Sequence, residues 1–356
     1  MSLTDWDTII LGQGLAGSLL AWNLIQQGQR VLIADQAREL SASRIAAGLI
    51  NPVTGKRLVK HKKTDSFLNA ALLQYAQLKE VFGTPFFHAK PMTRLFRSEE
   101  DHTAYEKRMA DPDYRNYLGH DFKPLNDLQI NNPRGGFYQY QTGYLDTVTL
   151  LDALKNYFIK NDCFLEIDIE YDEIKIEPDA VILQTHQSEQ LIFCEGYQAT
   201  ANPWFNWLPF KLAKGEILTL DTKSRLPENI INAGHWLLPT DTHRCKFGAT
   251  YQWHELNEKT TAKARSELLA AINKLFKTNM DFTVAQQHAG IRPCTKDTSP
   301  YIGLHPEYPR IGIFNGFGSR GSLTIPYYAQ HYCEHLIRNQ PLEPDININR
   351  HWTCNG

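Results

Sequence analysis

The stretch Thr8-Ile9-Ile10-Leu11-Gly12-Gln13-Gly14-Leu15-Ala16-Gly17 decides how the rest of the chain is read. Its first four residues are a continuous apolar run with β-branched content, the pattern of a strand buried on both faces of a parallel sheet. Three glycines follow at once, and beyond them Leu15, Leu19 and Trp22 recur at helical spacing until Gly28. Arg30-Val31-Leu32-Ile33-Ala34 is a second buried strand, and Asp35 stands at its end, 23 residues past Gly12. The first 35 residues therefore read as one βαβ unit. Gly12 permits the tight turn, Gly14 lets the backbone approach a pyrophosphate, and Gly17 removes a side chain where helix and strand touch. The helix N-terminus offers free N–H groups to an anion, and Asp35 can accept hydrogen bonds from ribose hydroxyls. The unit predicts a dinucleotide site without deciding between FAD and NAD(P). Asp35 is common in NAD sites, FAD proteins more often use Glu, and Arg38 keeps NADP open.

Outward from this unit, 356 residues suffice for roughly two domains. With 42% hydrophobic and 21% charged residues, disordered, collagenous and coiled-coil classes drop out. A net charge of −2 provides no global field for nucleic acid or an anionic membrane. The start of the chain carries Asp5 and Asp7 but no basic residue, unlike a signal peptide, and no apolar run reaches the ~18 residues of a membrane span. The expectation is a soluble, cytoplasmic protein, and its six scattered cysteines read as free thiols. Gly48 to Lys56 lacks the glycine spacing of a phosphate loop, and His254-Glu255-Leu256-Asn257-Glu258 lacks the second His of a zinc helix, so no metal is assigned. Farther on, Thr147 to Lys160 has helical periodicity and Cys163 to Ile169 looks like a strand. Glu173–Glu177, Ala180–Gln184 and Gln190–Cys194 look like a meander, and Glu258 to Phe276 reads as a long amphipathic helix. No low-complexity linker separates these pieces, so two domains are expected to interleave.

Further blocks stand toward the C-terminus: Gly290-Ile291-Arg292-Pro293, Thr295-Lys296-Asp297, Pro300-Tyr301-Ile302-Gly303, and Asn315-Gly316-Phe317-Gly318-Ser319-Arg320-Gly321 with Pro326 and Ala329. Between lie Ser41-Ala42-Ser43 to Gly48, Gly143-Tyr144-Leu145-Asp146, Lys214-Gly215-Glu216 and Gly248-Ala249-Thr250. In this order, with the N-terminal fingerprint, they resemble the D-amino-acid oxidase (DAO) superfamily of FAD enzymes. Among its members, the blocks resemble those of glycine oxidase and of the oxidase domain of the bacterial tRNA wobble-uridine modification enzyme. The resemblance runs from residue 8 to about 330. It implies an α/β fold in which a Rossmann-like FAD-binding domain (1–80, 143–200 and 286–340) interleaves with an α+β substrate domain (81–142 and 201–285) built on a mixed or antiparallel sheet, followed by a tail at 341–356.

The same resemblance implies FAD, and the residues expected to hold it are Gly12, Gly14, Leu15, Ala16, Gly17, Asp35, Gln36, Ser43, Gly48, Gly316, Gly318, Ser319, Arg320, Gly321 and Ser322. The last of these lead into a final helix whose N-terminus would face the flavin pyrimidine edge and stabilise negative charge there. Cys294 does not match the spacing of the flavin-linking cysteine of sarcosine oxidases, so FAD is expected to be non-covalent. Arg292 is expected to grip a substrate carboxylate with its forked guanidinium. Lys246 stands where the sarcosine oxidase branch keeps an oxygen-activating lysine, although glycine oxidase-like chains carry an apolar residue there.

The implied function is oxidation of a C–N bond in a small amine or amino acid by hydride transfer to flavin, giving an imine. Two alternatives stand beside it. One is a tRNA-modifying oxidase acting on a carboxymethylaminomethyl-uridine group, suggested by the Gly318–Gly321 turn and by the basic run Lys56-Arg57-Leu58-Val59-Lys60-His61-Lys62-Lys63. The other is a flavin-binding protein without turnover. A small-molecule partner is expected, with nucleic acid left to the basic run, and the pocket walls are expected from Phe86–Tyr140 and Trp204–Tyr251.

Overall fold

The computed structural model describes residues 4–36, 40–122, 129–278 and 280–352; Arg38, on which an NADP reading rested, and Cys354 lie outside them. The first unit forms as strand Thr4–Leu11, helix Leu15–Gln26 and strand Val31–Asp35. Gly28 ends the helical segment in the left-handed region, with φ +82°. Helix and strands meet backbone to backbone here, because a Cβ on Gly17 would overlap the Gly12 carbonyl.

Five strands run parallel, in the spatial order Phe164–Glu166, Val31–Asp35, Thr4–Leu11, His186–Phe193 and Ile311–Asn315. Tyr301–Leu304 adds an antiparallel neighbour to the last of them. The meander is only partly one. Ile174–Ile176 and Val181–Leu183 pair antiparallel, but the third strand starts at His186 and runs into the centre of the sheet beside Thr4–Leu11. Leu191, Ile192 and Phe193 are apolar in succession and fully buried, as a strand covered on both faces requires. Helix Thr147–Lys160 forms over the span its periodicity predicts, and the strand after it is shorter than predicted, at Phe164–Glu166.

A second sheet takes the order Thr283–Arg292, Ala213–Asp221, Arg244–Gly248, Trp236–Pro239, Ile230–Asn232, Met92–Leu95, Gly136–Gln139 and Leu118–Phe122. It is mixed, because Ile230–Asn232 runs parallel to Met92–Leu95 while the other neighbours are antiparallel. Thr283–Arg292 pairs with Ala213–Asp221 over its whole length, so a cut at 286 would divide one strand of this sheet. Helix Ala262–Leu275 covers one face, setting Leu268, Ile272 and Leu275 against Leu218, Leu220 and Phe247. Periodicity predicts this helix from Glu258. It starts later because the Thr261 hydroxyl caps it, accepting from the Ala264 N–H at 3.1 Å. Among the described residues no helix is long and apolar enough to cross a membrane.

One carboxyl group ties three segments of the first sheet together. Glu195, just past the central strand, accepts from the Tyr171 hydroxyl and from the Asn202 amide, each at 2.9 Å. Burial pushes its pKa up from 4.5 to about 7, outweighing those two hydrogen bonds, which act the other way. The unfolded chain then releases this proton at lower pH than the folded one. The stability contribution is therefore complete below the unfolded value and is lost as pH rises through about 7. Glu195→Gln, which cannot ionise, is expected to gain roughly 2 to 3 kcal/mol on the wild type between pH 5 and pH 8. Urea unfolding at the two pH values measures this, and parallel profiles for the two proteins would refute it.

Candidate active site

Between the two sheets lies a cleft of about 960 Å³, at the upper end of the range for small-molecule and cofactor sites. Two helices start in its wall without a side-chain cap: Leu15–Gln26 after Gly14, and Gly321–Arg338 after Arg320. Uncapped first turns leave N–H donors for an anion or for a developing negative charge. Asp35 braces the first of these turns, accepting from the Gln13 N–H at 2.7 Å, and the Ser43 hydroxyl accepts from the Leu15 N–H at 3.1 Å. The second turn is tied to the Arg292 block, since the Gly318 N–H donates to the Pro293 carbonyl at 3.2 Å.

Most residues singled out from the sequence meet in this cleft. Gly12, Gly14, Leu15, Ala16, Asp35, Gln36, Ser43, Gly48, Arg292, Gly318, Ser319, Gly321 and Ser322 line it. Gly17, Gly316, Arg320 and Lys246 do not. Gly17 lies behind the turn, and Gly316, at φ +85°, packs where a Cβ would meet the Thr295 side chain. Arg320 is half-buried; burial lowers its pKa, its Nε has no partner among the described residues, and its charge helps to lower the pKa of His61. Lys246 is half-buried on the second sheet, where burial pulls its pKa down against the opposing charge of Asp146.

Arg292 ends the strand Thr283–Arg292 and lies across Gly215, where any Cβ would overlap the guanidinium. The Tyr251 ring covers it at 5.0 Å, a cation–π contact. Burial lowers the Arg292 pKa, with Tyr251 and Cys294 opposing, yet an arginine keeps its charge in proteins. Its Nη1 is buried and without a hydrogen-bond partner among the described residues. Tyr251 and Gly215 complete the arginine's seat; the sequence marks Gly215 through its Lys-Gly-Glu block but carries no signal for Tyr251, whose role arises from long-range packing.

One expectation needs correction. Among the described residues, the stretch 86–140 contributes nothing to the cleft wall, because it supplies the far strands Met92–Leu95, Leu118–Phe122 and Gly136–Gln139 of the second sheet. In the basic run Lys56 and Arg57 are exposed, and the three lysines at its far end lie beside acids. Lys60 lies 3.5 Å from Asp65, Lys62 lies 3.3 Å from Asp345, and Lys63 pairs with Glu343.

The glycine turn, the acid at the end of the second strand and the two uncapped helices in one wall are the parts that a dinucleotide carrying a flavin would occupy. Comparison with known proteins agrees. The profile of the DAO family, described as FAD dependent oxidoreductase, matches residues 7–335. Glycine oxidase of Bacillus licheniformis is 23% identical over 94% of this chain and 94% of its own length. The tRNA 5-methylaminomethyl-2-thiouridine biosynthesis bifunctional protein of Leptospira borgpetersenii is also 23% identical, over 95% of this chain, but this chain spans only 58% of that protein. The crystal structure of glycine oxidase from Bacillus cereus superposes with a TM-score of 0.81 at 19% identity, covering 94% of this chain and 96% of that one. The chain belongs to the DAO family of FAD-dependent oxidoreductases and is an enzyme of that family.

Proposed function

We propose that this enzyme oxidises the C–N bond of a small amine or amino acid that bears a carboxylate, using non-covalently held FAD. The observation that carries the reading is Arg292, a guanidinium in the cleft wall whose buried Nη1 has no partner among the described residues. Such a donor is costly to leave unmet, and a carboxylate would satisfy it through a forked, charge-assisted pair. The amino-acid chemistry of the glycine oxidase relatives supports the same choice.

Gly12 to Ala16 and Asp35 would hold the adenosine diphosphate portion, with Gly318 to Ser322 and the start of the last helix holding the flavin. When bound, FAD supplies a two-electron acceptor for the hydrogen that leaves the α-carbon. Arg292 fixes the substrate at its carboxylate, so the α-carbon is presented in one orientation. Its positive charge also disfavours an ammonium nearby, favouring the neutral amine whose lone pair forms the C=N bond. The product is an imine, which water hydrolyses to a carbonyl compound and an amine. Tyr251 shields the guanidinium from solvent, and its own pKa is pushed up to about 12 by burial and by the adjacent Cys294, so its hydroxyl brings no competing negative charge. Lys246 lies outside the cleft lining, and the proposed reaction routes no step through it. A carboxymethylaminomethyl group on uridine would offer Arg292 the same amino-carboxylate, but Lys60, Lys62 and Lys63 of the basic run already lie beside carboxylates.

Two measurements test this reading. Acid precipitation of the yellow protein is expected to release all of its flavin into the supernatant, and flavin left on the pellet would contradict non-covalent binding. Arg292→Ala is expected to lower kcat/KM for a carboxylate-bearing amine by about 2 to 4 kcal/mol in transition-state terms with FAD content unchanged. Arg292→Lys should recover only part of the loss, because an ammonium cannot reproduce the fork. Wild-type kinetics in Arg292→Ala would remove the carboxylate from the proposal.

A further inference from the structure

Lys214-Gly215-Glu216 divides its side-chain positions between the two faces of the strand Ala213–Asp221. Gly215 faces the cleft and carries the Arg292 guanidinium. Lys214 and Glu216 point to the opposite face, each 1% exposed and 4.0 Å from the other. Neither lines the cleft. A buried ion pair is weak evidence for stability in itself, and this one grips a particular piece of chain. The Glu216 carboxylate accepts from the Thr261 N–H at 2.9 Å, the Thr261 hydroxyl at 2.8 Å and the Gln287 amide at 2.8 Å. Lys214 Nζ donates to Asn257 Oδ1 at 2.9 Å and to the Lys259 carbonyl at 2.5 Å.

The other end of the same segment is fastened to the same residues. Lys214 and Gln252 exchange two backbone hydrogen bonds at 2.8 and 2.9 Å, and the Thr250 hydroxyl accepts from the Glu216 N–H at 2.9 Å. Residues 250–261 are thus a flap clamped at both ends to one strand. On the flap sits Tyr251, 49% exposed, with its ring over Arg292 and its hydroxyl 3.7 Å from Cys294 Sγ. The guanidinium is therefore held between a glycine that belongs to the clamp and an aromatic ring that the clamp positions.

We propose that Lys214 and Glu216 are positioning residues for the carboxylate anchor: by clamping the flap they keep Tyr251 on Arg292 and the guanidinium in the plane that meets a carboxylate. This rests on the role of Arg292 given above. A guanidinium released from its seat regains rotamers and water, so the loss falls on carboxylate binding and leaves the cofactor seat intact.

The test uses holoenzyme and glycolate, a simple carboxylate with a hydroxyl in place of the amine. Its Kd is read by calorimetry, and phenylglyoxal modification of Arg292 is followed by mass spectrometry. Glu216→Gln and Lys214→Met are each expected to weaken glycolate about tenfold and to speed modification of Arg292, with flavin content unchanged. Tyr251→Ala should match them, Tyr251→Phe should stay near wild type, and combining Glu216→Gln with Tyr251→Ala should add nothing. Wild-type Kd and modification rate in Glu216→Gln, or fully additive losses in the double variant, overturn the proposal. If the buried variants do not fold, Asn257→Ala removes one acceptor of Lys214 from the exposed flap and is judged by the same two readouts. Failure of wild type to bind glycolate, or unchanged binding in Arg292→Ala, would refute the role of Arg292, and this inference would fall with it.

Discussion

At the end of the strand Thr4–Leu11 three backbones converge with no room for a side chain. The Gly12 carbonyl fills the position a Cβ on Gly17 would take, and the Cys194 carbonyl crowds the one on Gly12. This contact sets the first helix down against the first and central strands with its N-terminus level with their carboxyl ends. Residues at or just past the carboxyl ends of parallel strands, Asp35, Cys194 and Asn315, open into the same cleft as the start of that helix. The anion-binding turn at the start of the first helix depends on that close approach.

The second sheet contributes the opposite kind of feature, a buried guanidinium nitrogen of Arg292 without a hydrogen-bond partner among the described residues. Several other cations are paired with acids: Arg350 lies 2.9 Å from Asp297, Arg244 lies 2.6 Å from Asp221, and Lys63 meets Glu343. Arg292 is handled differently, with a glycine beneath it and an aromatic ring above it in place of a carboxylate. An aromatic face steadies a cation without neutralising it, so Arg292 keeps its positive charge in the cleft wall.

The parts of this design that are local in sequence were legible from it. The apolar run Thr8–Leu11, the spacing of Gly12, Gly14 and Gly17 and the placement of Asp35 lie within one short unit, and the periodicity of Thr147–Lys160 suffices for its helix. What escaped depends on distant partners. The central position of His186–Phe193 requires both Thr4–Leu11 and Ile311–Asn315 beside it, which a short apolar run does not announce. Lys62 and Lys63 read as a basic patch because Glu343 and Asp345 lie far along the chain. The sequence marks Lys214-Gly215-Glu216 as a block, but the burial of its two charges comes only when the strand, the flap and helix Ala262–Leu275 enclose them.

The parallel sheet also has a history in time. Its centre joins residues 4–11 to 186–193 and those to 311–315, so its strands are gathered from the beginning, middle and end of the chain. During synthesis the apolar strand Thr4–Leu11 can find its neighbour Val31–Asp35 early, but its other edge stays open until the strand His186–Phe193 emerges, and that strand waits in turn for Ile311–Asn315. Non-local pairing of this kind carries a large loop-closure cost and slows folding. For most of its synthesis the nascent chain exposes an apolar strand edge, the surface on which unfinished chains associate.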